Sequence, residues 1–218
     1  MKAASDAILK AEQAAYLEAL EPIRDPLLAR IEALAAERKN PISDPEVATF
    51  LSITIAARAP RFIVELGTNI GYGAIVMARA AGPEAKVLTI ELANHHVQTA
   101  RAFIEEAGLS ERIEVRQGAA VSELEKVQRP IDFAYIDCVK EEYPRYLELA
   151  LPKLGAHGVV VADNTLWSGH VAHEPPPDSE RPRVEALRAF NMAIASSPGL
   201  CGMVLPLGDG VGYAIKTG

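Results

Sequence analysis

Along the first sixty positions the apolar residues recur at the spacing of a helix face. Leu27, Ile31, Leu34 and Ala35 follow Pro26, and Val47, Phe50, Leu51, Thr54 and Ile55 follow Pro45. Both prolines suit the first turn of a helix, where the missing N–H would have had no helical partner. Asp44 precedes the second of them as a candidate N-cap. Between the two helices, Lys39-Asn40-Pro41-Ile42-Ser43 reads as an extended or turning connector. From residue 62 the rhythm changes. Short apolar runs at 62–66, 86–91, 113–117, 131–137 and 158–162 alternate with helical patterns at 74–81, 95–107 and 143–151, with Gly108 as a stop signal. Such alternation predicts right-handed crossovers and a parallel sheet covered on both faces. Runs at 203–205 and 212–216 flank the turn Leu207-Gly208-Asp209-Gly210, so a hairpin should add an antiparallel edge. The expected fold is one α/β domain, with a helical extension at 1–60 and a doubly wound core at 61–218. Residues 163–183, rich in Pro, Gly and His, form the longest stretch without a pattern and are read as a functional loop.

Composition narrows the function classes. The 218 residues are 49% hydrophobic and 23% charged, enough to bury a full core and unlike a disordered chain. Fifteen glycines and fifteen prolines without a repeat exclude a collagen-like sequence. A net charge of −7 argues against a protein that grips nucleic acid through its phosphates. Cys138 and Cys201 are too few for a disulfide framework and suit a reducing compartment. The opening Met-Lys-Ala-Ala-Ser-Asp lacks an apolar leader core, and no apolar run approaches the ~20 residues of a membrane span. The expectation is a cytoplasmic globular protein with no membrane partner.

In open α/β sheets, ligands sit beyond the carboxyl ends of the strands, so the residues that end each run carry the chemistry. The first run ends Glu65-Leu66-Gly67-Thr68-Asn69-Ile70-Gly71-Tyr72-Gly73, where glycines let the backbone turn tightly and approach a ligand. The second ends on Glu91, twenty-four residues after Gly67, placed to accept hydrogen bonds from both hydroxyls of a ribose. The pattern G-x-x-x-G-x-G is not the dinucleotide G-x-G-x-x-G and has no phosphate-loop lysine. It suits a nucleoside without a pyrophosphate better than NAD; an ordinary strand–helix turn is the alternative. The fourth and fifth runs end Tyr135-Ile136-Asp137 and Ala162-Asp163-Asn164. Adjacent strands lie about 4.8 Å apart, so Asp137, Asp163 and Asn164 can converge on one hard cation such as magnesium. Helix capping and turn chemistry would account for the same residues.

Together with Tyr143, Tyr146, Asp163-Asn164-Thr165-Leu166-Trp167-Ser168-Gly169, Phe190-Asn191 and Leu205-Pro206-Leu207-Gly208-Asp209-Gly210, these segments resemble the cation-dependent class I O-methyltransferases. That family includes catechol and caffeoyl-CoA O-methyltransferases and small bacterial relatives, and the resemblance covers roughly residues 41–216. It implies a Rossmann-like seven-stranded sheet with an antiparallel C-terminal hairpin, S-adenosylmethionine as methyl donor and a divalent cation, usually magnesium. It also implies a homodimer that methylates one of two vicinal hydroxyls on a small catechol-like acceptor. Carried over by position, it makes Asp137, Asp163 and Asn164 metal ligands and Lys140 the base, with Trp167 against the acceptor ring. Ser43, Glu65, Gly67, Asn69, Gly71, Gly73, Glu91, Ala120 and Asp137 would line the donor.

The chain departs from the family in places. Asp137-Cys138-Val139-Lys140 stands where bacterial members commonly read Asp-Ala-Asp-Lys, Gly73 replaces a usual Ser or Ala, Asn69-Ile70 replace Phe-Thr, and Ala48 replaces a glycine. Lys140 is expected to lie near the cation, neutral enough to take a proton; a surface lysine paired with Glu141 or Glu142 is the alternative. Of the histidines, His95, His96 and His157 read as solvated or capping, while His170 and His173 could border the acceptor. A nucleotide-dependent oxidoreductase and a non-catalytic donor-binding scaffold are competing functions. A hydroxyuridine of tRNA is the second candidate acceptor, served by any basic patch at Arg181, Arg183 and Arg188.

Overall fold

The computed structural model describes residues 11–20 and 25–218. The opening residues, read above for a leader, lie outside them. Three helices come first: α1 (Ala11–Ala19), α2 (Pro26–Arg38) and α3 (Pro45–Arg58). Strands and helices then alternate as β1 (Phe62–Leu66), α4 (Tyr72–Ala80), β2 (Lys86–Glu91), α5 (Asn94–Glu106), β3 (Ile113–Gln117), α6 (Ala120–Glu125), β4 (Ile131–Ile136), α7 (Tyr143–Ala150), β5 (Leu154–Ala162), α8 (Arg181–Ser196), β6 (Leu200–Leu205) and β7 (Val211–Lys216). They form one seven-stranded sheet in the order β3-β2-β1-β4-β5-β7-β6. The first five strands pair in parallel, and β7 runs antiparallel to both β5 and β6. Chain order reverses between β1 and β4, which opens a crevice at their carboxyl ends.

Period-2 alternation divides the core between the two faces of the sheet. Ile63, Val87, Phe133, Val159 and Val161 pack with Ile31, Leu51 and Ile75 from the helices on one side. Val64, Leu88, Ile136 and Val160 pack with Leu147, Leu187 and Phe190 on the other. The helical extension therefore belongs to the core, since Leu27, Ile31 and Ala35 of α2 are buried in it.

Three local expectations change. Asp44 occupies the N-cap position of α3 but makes no capping bond. Capping chemistry appears instead at Asp25, whose side chain accepts from the Leu27 and Leu28 amides at 2.9 and 3.2 Å and pairs with Arg79 at 2.8 Å. β5 begins at Leu154 rather than 158, because a register shift opposite Ile131–Phe133 and a left-handed His157 (φ 59°) break the alternation. Residues 163–183 are not irregular throughout: short 3₁₀ turns within Trp167–Ala172 are broken by a kink at left-handed Ser168 and Gly169, and α8 begins at Arg181.

Candidate active site

The turn after β1 is held from three sides. The amides of Gly67 and Thr68 donate to the Ile90 carbonyl at 3.0 and 3.2 Å, and Gly71 closes the turn onto Thr68. Gly67 has φ 98°, and a Cβ there would lie 2.0 Å from the Asp137 carbonyl oxygen. Only glycine lets β1 and β4 end so close together. Asn69 reaches back to the Pro41 carbonyl and so ties the connector before α3 to this loop. Glu91 braces both neighbouring turns, accepting from the Asn69 and Ala93 amides at 2.9 Å each. Each carboxylate oxygen keeps a lone pair for a ligand. Leu92 beside it is 69% exposed, and Ala120 opens α6 at the end of the neighbouring β3.

Beneath the loop lies a buried polar chain. Thr68 and Thr89 share a 2.5 Å hydroxyl contact, and Thr89 donates to Glu65 Oε2 at 2.5 Å. Burial pushes the Glu65 carboxyl up to about 8, against the Thr89 hydrogen bond and with help from the charges of Asp137 and Glu91. A Cβ on Gly73 would meet Glu65 Oε1 at 2.2 Å. The Glu65 carboxyl thus fills the space that a Cβ at position 73 would need.

At the ends of β4 and β5, Asp137 and Asp163 are electrostatic neighbours. Burial, then repulsion from Asp137, raises the Asp163 carboxyl above its ordinary range. Asp163 accepts the Asn164 amide on Oδ1 at 2.7 Å and the Tyr135 hydroxyl on Oδ2 at 3.1 Å. Lys140 opens a 3₁₀ turn, and its Nζ donates to Asp137 Oδ1 at 2.9 Å and to the Tyr143 hydroxyl at 2.7 Å. Tyr143 in turn donates to the Asp163 carbonyl at 2.9 Å, so the two strand ends are laced together. Lys140 is buried, and the alternative of a surface pair with Glu141 or Glu142 falls away. Burial alone would lower Lys140, but the charge of Asp137 and the bonds to Tyr143 and Asp137 outweigh it and hold the ammonium above its usual range.

The donor set Asp137, Asp163 and Asn164 is two carboxylates and an amide, all hard oxygens that suit magnesium or a similar cation. No hydrogen bond within the described residues engages the Asn164 side-chain amide, which leaves its oxygen available. Two mutually repelling carboxylates, one of them desolvated, are what a divalent cation would neutralise. Among the described residues no three His, Cys, Asp or Glu side chains gather as a metal cage. The fit rests on this mixed oxygen set.

The loop after β5 is clamped by the β6–β7 turn. Thr165 and Leu166 donate to the Gly210 and Asp209 carbonyls at 2.9 and 3.0 Å, and the Ser168 amide donates to Asp209 Oδ1 at 2.7 Å. Asn191 of α8 donates to the Thr165 carbonyl at 2.8 Å. Three consecutive left-handed residues, Trp167, Ser168 and Gly169, turn the loop back. The Trp167 indole N–H donates to Glu180 at 2.7 Å, and Arg183 bridges Glu180 and Glu141 over the indole face.

A profile of the O-methyltransferase family matches residues 25–217. The chain belongs to that family. This O-methyltransferase is 31% identical over 188 residues to a catechol O-methyltransferase of Niastella koreensis, covering 84% of each chain. It is 33% identical over 171 residues to a flavonoid 3′,5′-methyltransferase of Vitis vinifera, covering 74% of this chain and 73% of the other. The crystal structure of the O-methyltransferase of Bacillus cereus, in complex with SAH, superposes with a TM-score of 0.84 at 29% identity, covering 94% and 97% of the two chains.

The O-methyltransferase gathers Asp137, Lys140, Asp163 and Asn164 at one end of the sheet, with Gly67, Asn69 and Gly71 on the adjoining loop, Gly73 in the first turn of α4, and Glu65 and Glu91 at the ends of β1 and β2. Ser43 lies beside them, but its hydroxyl is bonded to Tyr135 at 2.8 Å. Arg181, Arg183 and Arg188 pair with Asp178, Glu141 with Glu180, and Glu174 respectively, so they form no free basic patch. Sequence reasoning gave no role to Tyr135, Tyr143, Glu180 or Asp209.

Proposed function

We propose that this O-methyltransferase transfers a methyl group from S-adenosylmethionine to one hydroxyl of a vicinal pair on a small catechol-like acceptor, with Lys140 as general base. The observation that carries the reading is the buried Asp137–Lys140–Tyr143–Asp163 cluster at the end of the loop braced by Glu91. The names of the catechol and flavonoid relatives support the acceptor class, and the SAH in the Bacillus cereus structure supports the donor.

Glu91 would hold the ribose on its free lone pairs, with the adenine lying between exposed Leu92 and Ala120. The Gly67–Gly73 loop would take the methionine part. Asp137, Asp163 and Asn164 would hold a divalent cation, magnesium by preference, which would acidify two neighbouring hydroxyls. With Asp137 engaged on the cation, Lys140 would release its own proton to solvent, and the neutral amine would then accept the hydroxyl proton at Nζ. Trp167, fixed by Glu180 and Arg183, would carry the acceptor ring. The working unit is proposed to be a homodimer in the cytoplasm, where the unpaired Cys138 and Cys201 stay reduced.

The test is a methyl-transfer screen over catechols, hydroxycinnamoyl thioesters, flavonoids and hydroxyuridine RNA, with magnesium and then with excess EDTA. Turnover of a catechol-type acceptor should vanish on chelation, while donor binding by calorimetry persists, because Glu91 and the loop stand apart from the oxygen ligands. Full turnover in metal-free buffer would refute the cation requirement.

A further inference from the structure

We propose that Tyr135 is a positioning residue that aims Asp163 at the cation and joins it to the donor-side connector through Ser43; this rests on the metal reading above. Tyr135 is fully buried at the end of β4, in register with Glu65 of β1 and Val161 of β5. Its ring packs in the core beside Phe133 and Val161. The hydroxyl has two partners, Asp163 Oδ2 at 3.1 Å and Ser43 Oγ at 2.8 Å.

Proton bookkeeping fixes the direction of this chain. An ionised carboxylate only accepts, and a phenol has one proton to give. Tyr135 therefore donates to Asp163, and Ser43 must donate to the Tyr135 oxygen. The Ser43 hydroxyl proton is spent, so that hydroxyl cannot also donate to the donor's carboxylate. Its place in this chain is to hold the phenol, and the phenol holds Asp163.

The other Asp163 contacts show why this bond matters. Oδ1 accepts the amide of the next residue, Asn164, which fixes only the local turn. Tyr135 supplies the one side-chain hydrogen bond to Oδ2 among the described residues, and it comes from a rigid strand. Hydrogen-bonded partners that orient a ligating carboxylate are typically worth about 10- to 100-fold in metal affinity. Ser43 lies on the connector that Asn69 ties to the glycine loop at Pro41. Tyr135 thus spans from the donor side of the crevice to the carboxylate pair.

The experiment titrates the full-length protein with Mn²⁺, read by electron paramagnetic resonance, without acceptor or donor. Asp163→Asn serves as the reference for the site. Tyr135→Phe keeps the ring and removes only the hydroxyl. It should weaken Mn²⁺ binding about tenfold or more while the SAH affinity changes less than about twofold. Ser43→Ala should weaken Mn²⁺ binding about threefold, the size of one ordinary hydrogen bond acting at a remove. In the Asp163→Asn background, Tyr135→Phe should add almost nothing. A merely structural role would instead lower the melting temperature and both affinities together. If Asp163→Asn weakens Mn²⁺ binding but neither Tyr135→Phe nor Ser43→Ala does, the positioning role is overturned and the metal site stands. Wild-type protein without a Mn²⁺ site sensitive to Asp163→Asn would overturn both. Should Tyr135→Phe fail to fold, Ser43→Ala decides: unchanged Mn²⁺ affinity overturns the role.

Discussion

Single residues in this site carry opposing demands, and Lys140 shows it best. Its burial favours the neutral amine, yet Asp137 and Tyr143 keep it charged. To serve as the proposed base, Lys140 must first give up that proton, which requires Asp137 to be drawn into another interaction. Lys140→Met should lower kcat by about 10²–10⁴-fold with donor affinity nearly intact, and raising the pH should recover part of the loss. Steady-state kinetics with calorimetry on the same variant would check this. Glu91 has a double duty that its position at a strand end did not disclose. Glu91→Ala removes a ribose acceptor and also strands the Asn69 and Ala93 amides, so SAH binding should fall at least tenfold to a hundredfold by calorimetry. Glu65 yields a pH effect. Burial holds its carboxyl up at about 8 in the folded chain, above the ordinary 4.5, so the folded chain holds a proton that the unfolded chain releases. Its contribution to stability is full below about pH 4.5 and is lost as pH rises through about 8. Glu65→Gln should flatten that decline, as urea midpoints between pH 5 and 9 would show. Asp137, Asp163 and Lys140 were legible because charged groups at strand ends stand out from an apolar background. Tyr135 was not, because a tyrosine in a buried strand is first of all a core residue, and only the position of its hydroxyl reveals a second task.

At the scale of elements, the five parallel strands were readable because each is a short apolar run with a polar end. Three came out with identical limits: 62–66, 86–91 and 113–117. The start of β5 was hidden, since Gly155, Ala156 and His157 are exposed or partly exposed and the left-handed His157 breaks the period. Helix α8 was hidden for a different reason. Its apolar face, Val184, Leu187, Phe190 and Ile194, emerges from a proline-rich stretch that reads as loop, and it is recognisable mainly by what it packs against. The clamp between the 163–169 loop and the β6–β7 turn joins two segments far apart in the chain. Each is shaped by the other. Gly210 has φ 84°, and a Cβ there would lie 2.4 Å from Leu166 Cγ. Gly210→Ala should cost about 1–2 kcal/mol for the left-handed backbone before any clash is added. It should reduce kcat more than it reduces donor affinity, because the strain falls on the loop that carries Asp163, Asn164 and Trp167. A thermal melt paired with SAH titration would separate the two effects.

Over the whole molecule, the chemistry is confined to one end of the sheet. A second cavity of about 660 Å³ lies at the other, between Phe62, Lys86, Ile113 and Arg129 at the starts of the strands. Its cations are largely engaged by the chain itself: Lys86 donates to the Glu111 carbonyl, Arg112 caps four carbonyls at 78–85, and Arg116 and Lys126 share Glu123. The net charge of −7 therefore sits on a surface whose basic residues are mostly spoken for. No helix among the described residues is long and apolar enough to cross a membrane. The clamp also has a temporal meaning. The loop at 163–169 takes its backbone partners from residues 209 and 210, some forty positions downstream. While the chain is still being threaded out of a ribosome, β1 to β4 can pair and the glycine loop can form, but residues 165–168 still lack the partners in α8 and the last hairpin that clamp them. The glycine-loop side of the crevice can thus assemble on the nascent chain, whereas the 163–169 side must wait for the last hairpin to emerge. Protease added to stalled nascent chains should cut within 163–169 until residues 200–216 are free, and the same bonds should resist it afterwards.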